Sequence, residues 1–331
     1  MSARPQTTAT GIVGAWRRAR RAISDYPAIV LTAILVLLII GTNLVSPGFA
    51  APDHLSTVLL YAAPLGVLAA GQTLVLLTGG IDLSVAGTAT AAAYLLAGFG
   101  GLGPGPAIAL ALLLGLAIGL VNGVGIGIFG VQPLIMTLGV SGVIVGALAL
   151  AAQSFTSGVP TIPDAVRQLG SGTVFGVVPE NLFVWAPLAL LVIFGLRNSG
   201  FGRMVYAVGD NPLACRLAGV RVWQVLVATY ALCGLLGAAA GILFVGSTNA
   251  ADQNLAAPYL LPSVAAAVIG GISILGGSGG YGGAILGALI LTVLGSLLNI
   301  LNAPEATKQM LYGVIILALA TIYTRTSGGE S

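Results

Sequence analysis

From residue 54 to residue 163 the chain carries one carboxylate, Asp82, and neither Lys nor Arg. A soluble domain has about 25% charged residues, whereas this 331-residue chain has 6%, with 57% apolar side chains and 49 glycines. So few charges cannot cover the surface of a soluble fold. A soluble enzyme, a disordered chain, a disulfide scaffold and a nucleic-acid binder are all excluded, and what remains is an all-α polytopic membrane protein. Cys215 and Cys233, one in a polar stretch and one in an apolar run, predict no disulfide. With His54 as the sole histidine at a polar edge, they also supply too few ligands for a metal site. The composition implies no cofactor.

The apolar runs parse into ten spans, at 27–46, 55–78, 82–99, 105–129, 131–152, 181–197, 222–246, 258–276, 282–301 and 309–324. The first follows Arg17, Arg18, Arg20 and Arg21 and is too long for the core of a signal peptide, so it reads as a retained helix. Ten of the twelve basic residues then fall on one side. Arg4 and the four just named precede the first span, Arg197, Arg203, Arg216 and Arg221 lie between spans six and seven, and Arg325 follows span ten. By the positive-inside rule both termini (1–26 and 326–331) and the loop 198–221 are cytoplasmic, while 153–180 is extracytoplasmic. Residues 27–325 form the membrane domain. Spans two to five and seven to ten are expected to be related halves of opposite topology, since Asn122 and Asn299 each close a Gly/Leu-rich span and each half has a Gly-rich joint.

Three stretches carry chemistry. In Gly79-Gly80-Ile81-Asp82-Leu83-Ser84 a double glycine ends an apolar helix, and Asp82 is expected in the first turn of the next one. It serves there as a cap, or it lines a polar pathway together with Gln72, Thr78, Ser84, Asn122 and Asn249. In Asp210-Asn211-Pro212-Leu213-Ala214-Cys215-Arg216-Leu217-Ala218-Gly219, Asn211 suits an N-cap, Pro212 the first helical position and Gly219 the position after the C-cap. A short helix over about 212–218 follows, with Leu213 and Leu217 on one face and Arg216 on another. It either lies on lipid headgroups or docks a cytoplasmic partner. Finally, Gly270–Gly283 holds eight glycines and reads as close packing or a tight turn. No phosphate loop is possible around the single lysine, Lys308, so the chain does not hydrolyse nucleotide by that route, and no residue set supports an enzyme.

Taken together, Gly79–Ser84, Gly209–Val220 and Ile269–Gly277 resemble, in order and spacing, the permease subunit of bacterial ABC importers for monosaccharides of the ribose, xylose, arabinose and galactose type. The pattern departs from the family at Ala86, Gly279 and the uncharged stretch 259–263. The resemblance implies a ten-helix fold similar to the cobalamin-type importer permease and a second permease copy or homologous permease. It also implies a cytoplasmic ATPase with two fused nucleotide-binding domains and an extracytoplasmic sugar-binding protein. On the same basis Asp210, Asn211, Pro212, Leu213, Ala214, Arg216, Leu217 and Gly219 form the coupling helix, and the subunit sits in the bacterial inner membrane among lipid, with no nucleic-acid partner. The competing function is a secondary transporter with Asp82 as its ion site. A docking helix has no use in that machine, and one intramembrane carboxylate is few for ion coupling.

Overall fold

A computed structural model describes residues 27–154 and 161–327. The expected cytoplasmic tail 1–26 lies outside the described residues, as do 328–331. Thirteen helices carry the described chain, with one two-residue antiparallel ribbon, β1 (Thr173–Val174) and β2 (Val178–Pro179). The first five are α1 (Pro27–Val45), α2 (Pro52–Leu77), α3 (Val85–Gly98), α4 (Pro104–Gly127) and α5 (Pro133–Ser154). Next come α6 (Asp164–Ser171), α7 (Leu182–Asn198), α8 (Gly200–Asp210) and α9 (Pro212–Leu217). The last four are α10 (Val222–Thr248), α11 (Leu260–Ile269), α12 (Tyr281–Ile300) and α13 (Glu305–Ser327). Proline opens α1, α2, α4, α5 and α9, where its missing N–H costs nothing.

Each of the ten apolar runs coincides with a helix, but α3 and α11 are too short to cross a bilayer, and α13, which holds the run 309–324, is not among the helices that qualify as spans over the described residues. The run 82–99 holds only α3, because the Gly79-Gly80 joint consumes its start. The run 258–276 holds one turn of 3₁₀ helix and the ten-residue α11, after which Gly271, Gly276, Gly277 and Gly279 take positive φ and keep the backbone irregular up to α12. Among the described residues six single helices are long and apolar enough to span (α1, α2, α4, α5, α10 and α12), and α7 with α8, bent by 70°, makes a seventh. Both segments expected as loops contain helices. The outer one holds α6, whose Val166 is buried and whose Gly170 lies against Gly246 of α10. The inner one holds α8 before the expected short helix, and Ser199 Oγ accepts from Gly202 N at 2.9 Å to start it after the bend.

The interior belongs to α2 and α10, whereas α1 and α5 turn large aliphatic side chains such as Leu37 and Val143 outward, as helices facing lipid do. Helices in lipid associate by close packing rather than by hydrophobic expulsion. Accordingly α10 meets α4 along Gly115, Gly119, Gly123 and Gly127, one glycine every four residues. A Cβ on any of them would strike Ala238 or the α10 backbone at Gly234, Tyr230, Val227 or Trp223. Helices α2 to α5 have 26, 14, 24 and 22 residues, and α10 to α13 have 27, 10, 20 and 23. Both quartets run long, short, long, long, with Asn122 and Asn299 in the third helix of each.

Candidate functional site

Gln72, Asp82, Ser84 and Asn122 converge on one buried polar cluster where the chain breaks between α2 and α3. Asp82 precedes the helix rather than sitting in its first turn. Gly80, Ile81 and Asp82 are non-helical, Ser84 is the N-cap of α3, and the Asp82 carboxylate reaches forward to it. Asp82 Oδ1 accepts from Ser84 N at 2.8 Å and from Ser84 Oγ at 2.6 Å. Asn122 Nδ2 of α4 donates to Ser84 Oγ at 2.8 Å. Gln72 Nε2, one turn and a half before the end of α2, donates to the Asp82 carbonyl at 2.6 Å. This is capping chemistry extended to a whole junction: the carboxylate satisfies donors at the start of a helix, and two other elements, α2 and α4, hold it there.

Three members of the cluster were not legible in the sequence. Thr137 of α5 accepts from Leu83 N at 3.1 Å and donates to the Pro133 carbonyl at 2.9 Å. The Cys233 thiol of α10 packs beside the carboxylate, opposite Gly71. The Tyr230 side chain is fully buried and closes over Gly80, where a Cβ would run into its hydroxyl. A threonine in an apolar helix was the one available signal. Both cysteines are free. A second buried relay, Trp185 Nε1 to Tyr281 Oη at 2.9 Å and Tyr281 Oη to the Gly66 carbonyl at 2.7 Å, ties α7 and α12 to α2.

The remaining two expected pathway residues lie elsewhere. Thr78 caps the end of α2 and spends its hydroxyl on the Val75 carbonyl at 2.8 Å. Asn249 is exposed and takes φ 52°, the left-handed residue that terminates α10. The six expected residues therefore form no continuous lining.

The short helix is built as its sequence dictates. Asn211 Oδ1 accepts from Ala214 N at 2.9 Å, Pro212 opens α9, and Gly219 takes φ +82°. Gly219 N donates to the Arg216 carbonyl at 3.0 Å and Val220 N to that of Cys215 at 2.9 Å, the paired bonds of a Schellman stop. Cys215 anchors it inward, while Ala214, Arg216 and both leucines face out, Leu213 at 64% and Leu217 at 82% exposure. The residue just before the cap, Asp210, packs against Gly277, and the three sequence stretches meet there. Gly277 N donates to the Leu77 carbonyl at 3.0 Å, a Cβ on Gly209 would strike Leu77 O and Gly277 N, and one on Gly276 would fall 2.9 Å from both Gly209 O and Gly79 N. Backbone thus touches backbone between the end of α2, the end of α8 and the 270–280 turn. No side chain lies between them at these contacts.

The family described as the branched-chain amino acid transport system / permease component matches residues 54–320, most of the chain. The chain belongs to this family of ABC-importer permeases. It is 35% identical over 295 residues to the ribose import permease protein RbsC of Escherichia coli K12, covering 87% of this chain and 90% of that one. It is 31% identical over 305 residues to the fructose import permease protein FrcC of Rhizobium meliloti, covering 89% and 85%. It is 33% identical over 301 residues to the autoinducer 2 import system permease protein LsrC of Escherichia coli O9:H4, covering 87% and 85%. No solved structure matches. The permease is a transport subunit with several membrane-crossing helices, and nothing favours the secondary-transporter alternative: its one candidate ion site, Asp82, is sealed among donors of its own chain.

Proposed function

We propose that this permease forms the path for a monosaccharide or related polyol across the bacterial inner membrane. ATP hydrolysis is supplied by a separate cytoplasmic ATPase with two fused nucleotide-binding domains, and the solute is delivered by an extracytoplasmic binding protein. A second permease copy or a homologous permease completes the path, and both termini and α9 are cytoplasmic. The observation that carries the reading is α9 itself. It is a helix stopped at both ends, with two exposed leucines facing out, joined directly to the end of α8, whose Gly209 backbone lies against the end of α2. The names of the ribose and fructose relatives support the choice of solute class.

In this reading the ATPase grips Leu213 and Leu217 in an apolar groove. Closure of the nucleotide-binding domains moves α9, and the Gly209–Gly276–Gly277–Gly79 contact carries that motion into α2 and the turn before α12. The Asp82 cluster keeps the broken α2–α3 junction rigid while this happens.

Proteoliposomes holding the permease, its ATPase and the binding protein are tested for uptake of labelled D-ribose and D-fructose. Uptake of at least one is expected, and Leu217→Asp should abolish it and weaken copurification of the ATPase with membrane insertion unchanged. ATPase association and wild-type uptake in that variant would refute the docking role. Topology is checked by Ala165→Cys and Ala214→Cys with an impermeant maleimide on intact cells. Labelling at 165 alone is expected, and labelling at 214 alone would reverse the orientation.

A further inference from the structure

At the end of the bundle away from α9 lies a cavity of about 200 Å³. Tyr61 on its rim is 16 residues from Leu77, which places the cavity roughly 24 Å along α2 from the coupling contact. It has a floor and a mouth. Leu65, Leu291 and Pro262 are buried beneath it, while Tyr61, Asn299 and Glu305 are exposed around the opening. Its volume matches about seven waters at ~30 Å³ each, the scale of one small ring and its hydroxyls rather than of a drug-sized ligand.

The walls carry a dense set of polar groups for a chain with so little charge. Lys308, the only lysine, has a side chain just 15% exposed and donates to Asn299 Oδ1 at 2.5 Å and Glu305 Oε2 at 3.1 Å. An ammonium has three protons, so one is left over. Thr292 and Ser296 donate to the α12 backbone at 2.8 and 2.9 Å, and each keeps lone pairs to accept. Tyr61, Tyr259 and Tyr312 also line the cavity, and none of their hydroxyls hydrogen-bonds within the described residues. Tyr312 is 94% buried, its exposure being 6%, so its free hydroxyl is not a surface accident.

We infer that this cavity is a low-affinity binding site for a monosaccharide or small polyol. The choice of ligand rests on the function proposed above. Free donors from Lys308 and three tyrosines, together with acceptors from Ser296, Thr292 and Glu305, complement a solute whose every hydroxyl both donates and accepts. The tyrosine rings offer the apolar faces on which a sugar's C–H surface rests. An anion is disfavoured by Glu305 and a cation by Lys308, so the pair selects a neutral polyhydroxyl compound. Solute released at this end would be held here before it enters the bundle.

The test is saturation-transfer NMR on the full chain in lipid nanodiscs with D-ribose, D-fructose and D-sorbitol at millimolar concentration. At least one should receive magnetisation from the wild type. Tyr312→Phe, which removes only the hydroxyl, should weaken that binding by about tenfold, and Ser296→Leu, which fills the cavity, should abolish it, both with an unchanged melting temperature. No transfer from the wild type, or equal transfer from both variants, would make the cavity a water-filled space only and overturn the inference. If Tyr312→Phe misfolds, Ser296→Leu and Lys308→Met decide in its place. Binding here without uptake in proteoliposomes would refute the proposed function and leave the site standing. Uptake unaffected by variants that lose binding would leave the proposed function standing and overturn the role of the cavity in holding solute before it enters the bundle.

Discussion

Asn122 and Asn299 occupy corresponding helices of the two quartets and live in opposite surroundings. Asn122 is fully buried and donates to Ser84, which is itself bonded to Asp82, while the Tyr230 hydroxyl beside them is buried without a partner among the described residues. Asn299 is exposed at a cavity mouth and accepts from a lysine that still has a proton to give. The first quartet uses its rare polar groups to hold a broken helix together, and the second leaves them facing a space a solute can enter. A polar residue in a membrane chain marks function by default. Here the two quartets separate a mechanical function from a binding one.

The largest expected effect comes from Asn122→Asp. It places a second carboxylate next to Asp82 in a sealed site, and an unpaired buried charge costs several kcal/mol. No folded protein should be recovered in a fluorescence-detected chromatogram, whereas Asn299→Asp, at an exposed mouth beside Lys308, should elute normally. Next is Asp82→Ala, which strands the Ser84 N–H and hydroxyl for a loss of about 1–3 kcal/mol, read as a fall in melting temperature and abundance. Asp82→Asn keeps an acceptor and should lose less than about 1 kcal/mol, with uptake retained. Full loss of uptake by well-folded Asp82→Asn would return the carboxylate to the transport path. Smallest is Asn299→Ala, expected within about 0.5 kcal/mol of wild type in melting temperature. A large destabilisation there would erase the contrast between the quartets.

Much of this was legible in the residues. Long apolar runs, proline starts and glycine joints placed ten helices, and Asn211, Pro212 and Gly219 defined α9 almost to the residue, because caps and turns are local chemistry. The truncations of α3 and α11 were not legible, since hydropathy does not register where the backbone stops being helical. Helix α8 was hidden for the opposite reason: its polar face and its 70° bend interrupt the apolar run that would have announced it. Of the expected pathway residues, Gln72, Asp82, Ser84 and Asn122 do share a site. Gln72 and Asn122, though, come to Asp82 from α2 and α4, and no spacing in the sequence encodes that meeting. Thr78 and Asn249 were drawn in by residue type alone and serve as helix terminators. The cavity at Lys308 escaped notice because its tyrosines are scattered over α2, the turn before α11 and α13.

Ser84 and Ser296 allow the contrast between the quartets to be measured with one reagent. In a background of Cys215→Ala and Cys233→Ala, each serine is changed to cysteine, the least disruptive replacement at either position, and the permease is placed in nanodiscs so that both membrane faces meet the label. A small polar maleimide should modify Ser296→Cys readily, more slowly in the presence of the bound sugar, and should leave Ser84→Cys untouched until the protein is denatured. Native-state labelling of Ser84→Cys at the same rate as Ser296→Cys would contradict the account, for it would put the Asp82 cluster on the solute's path.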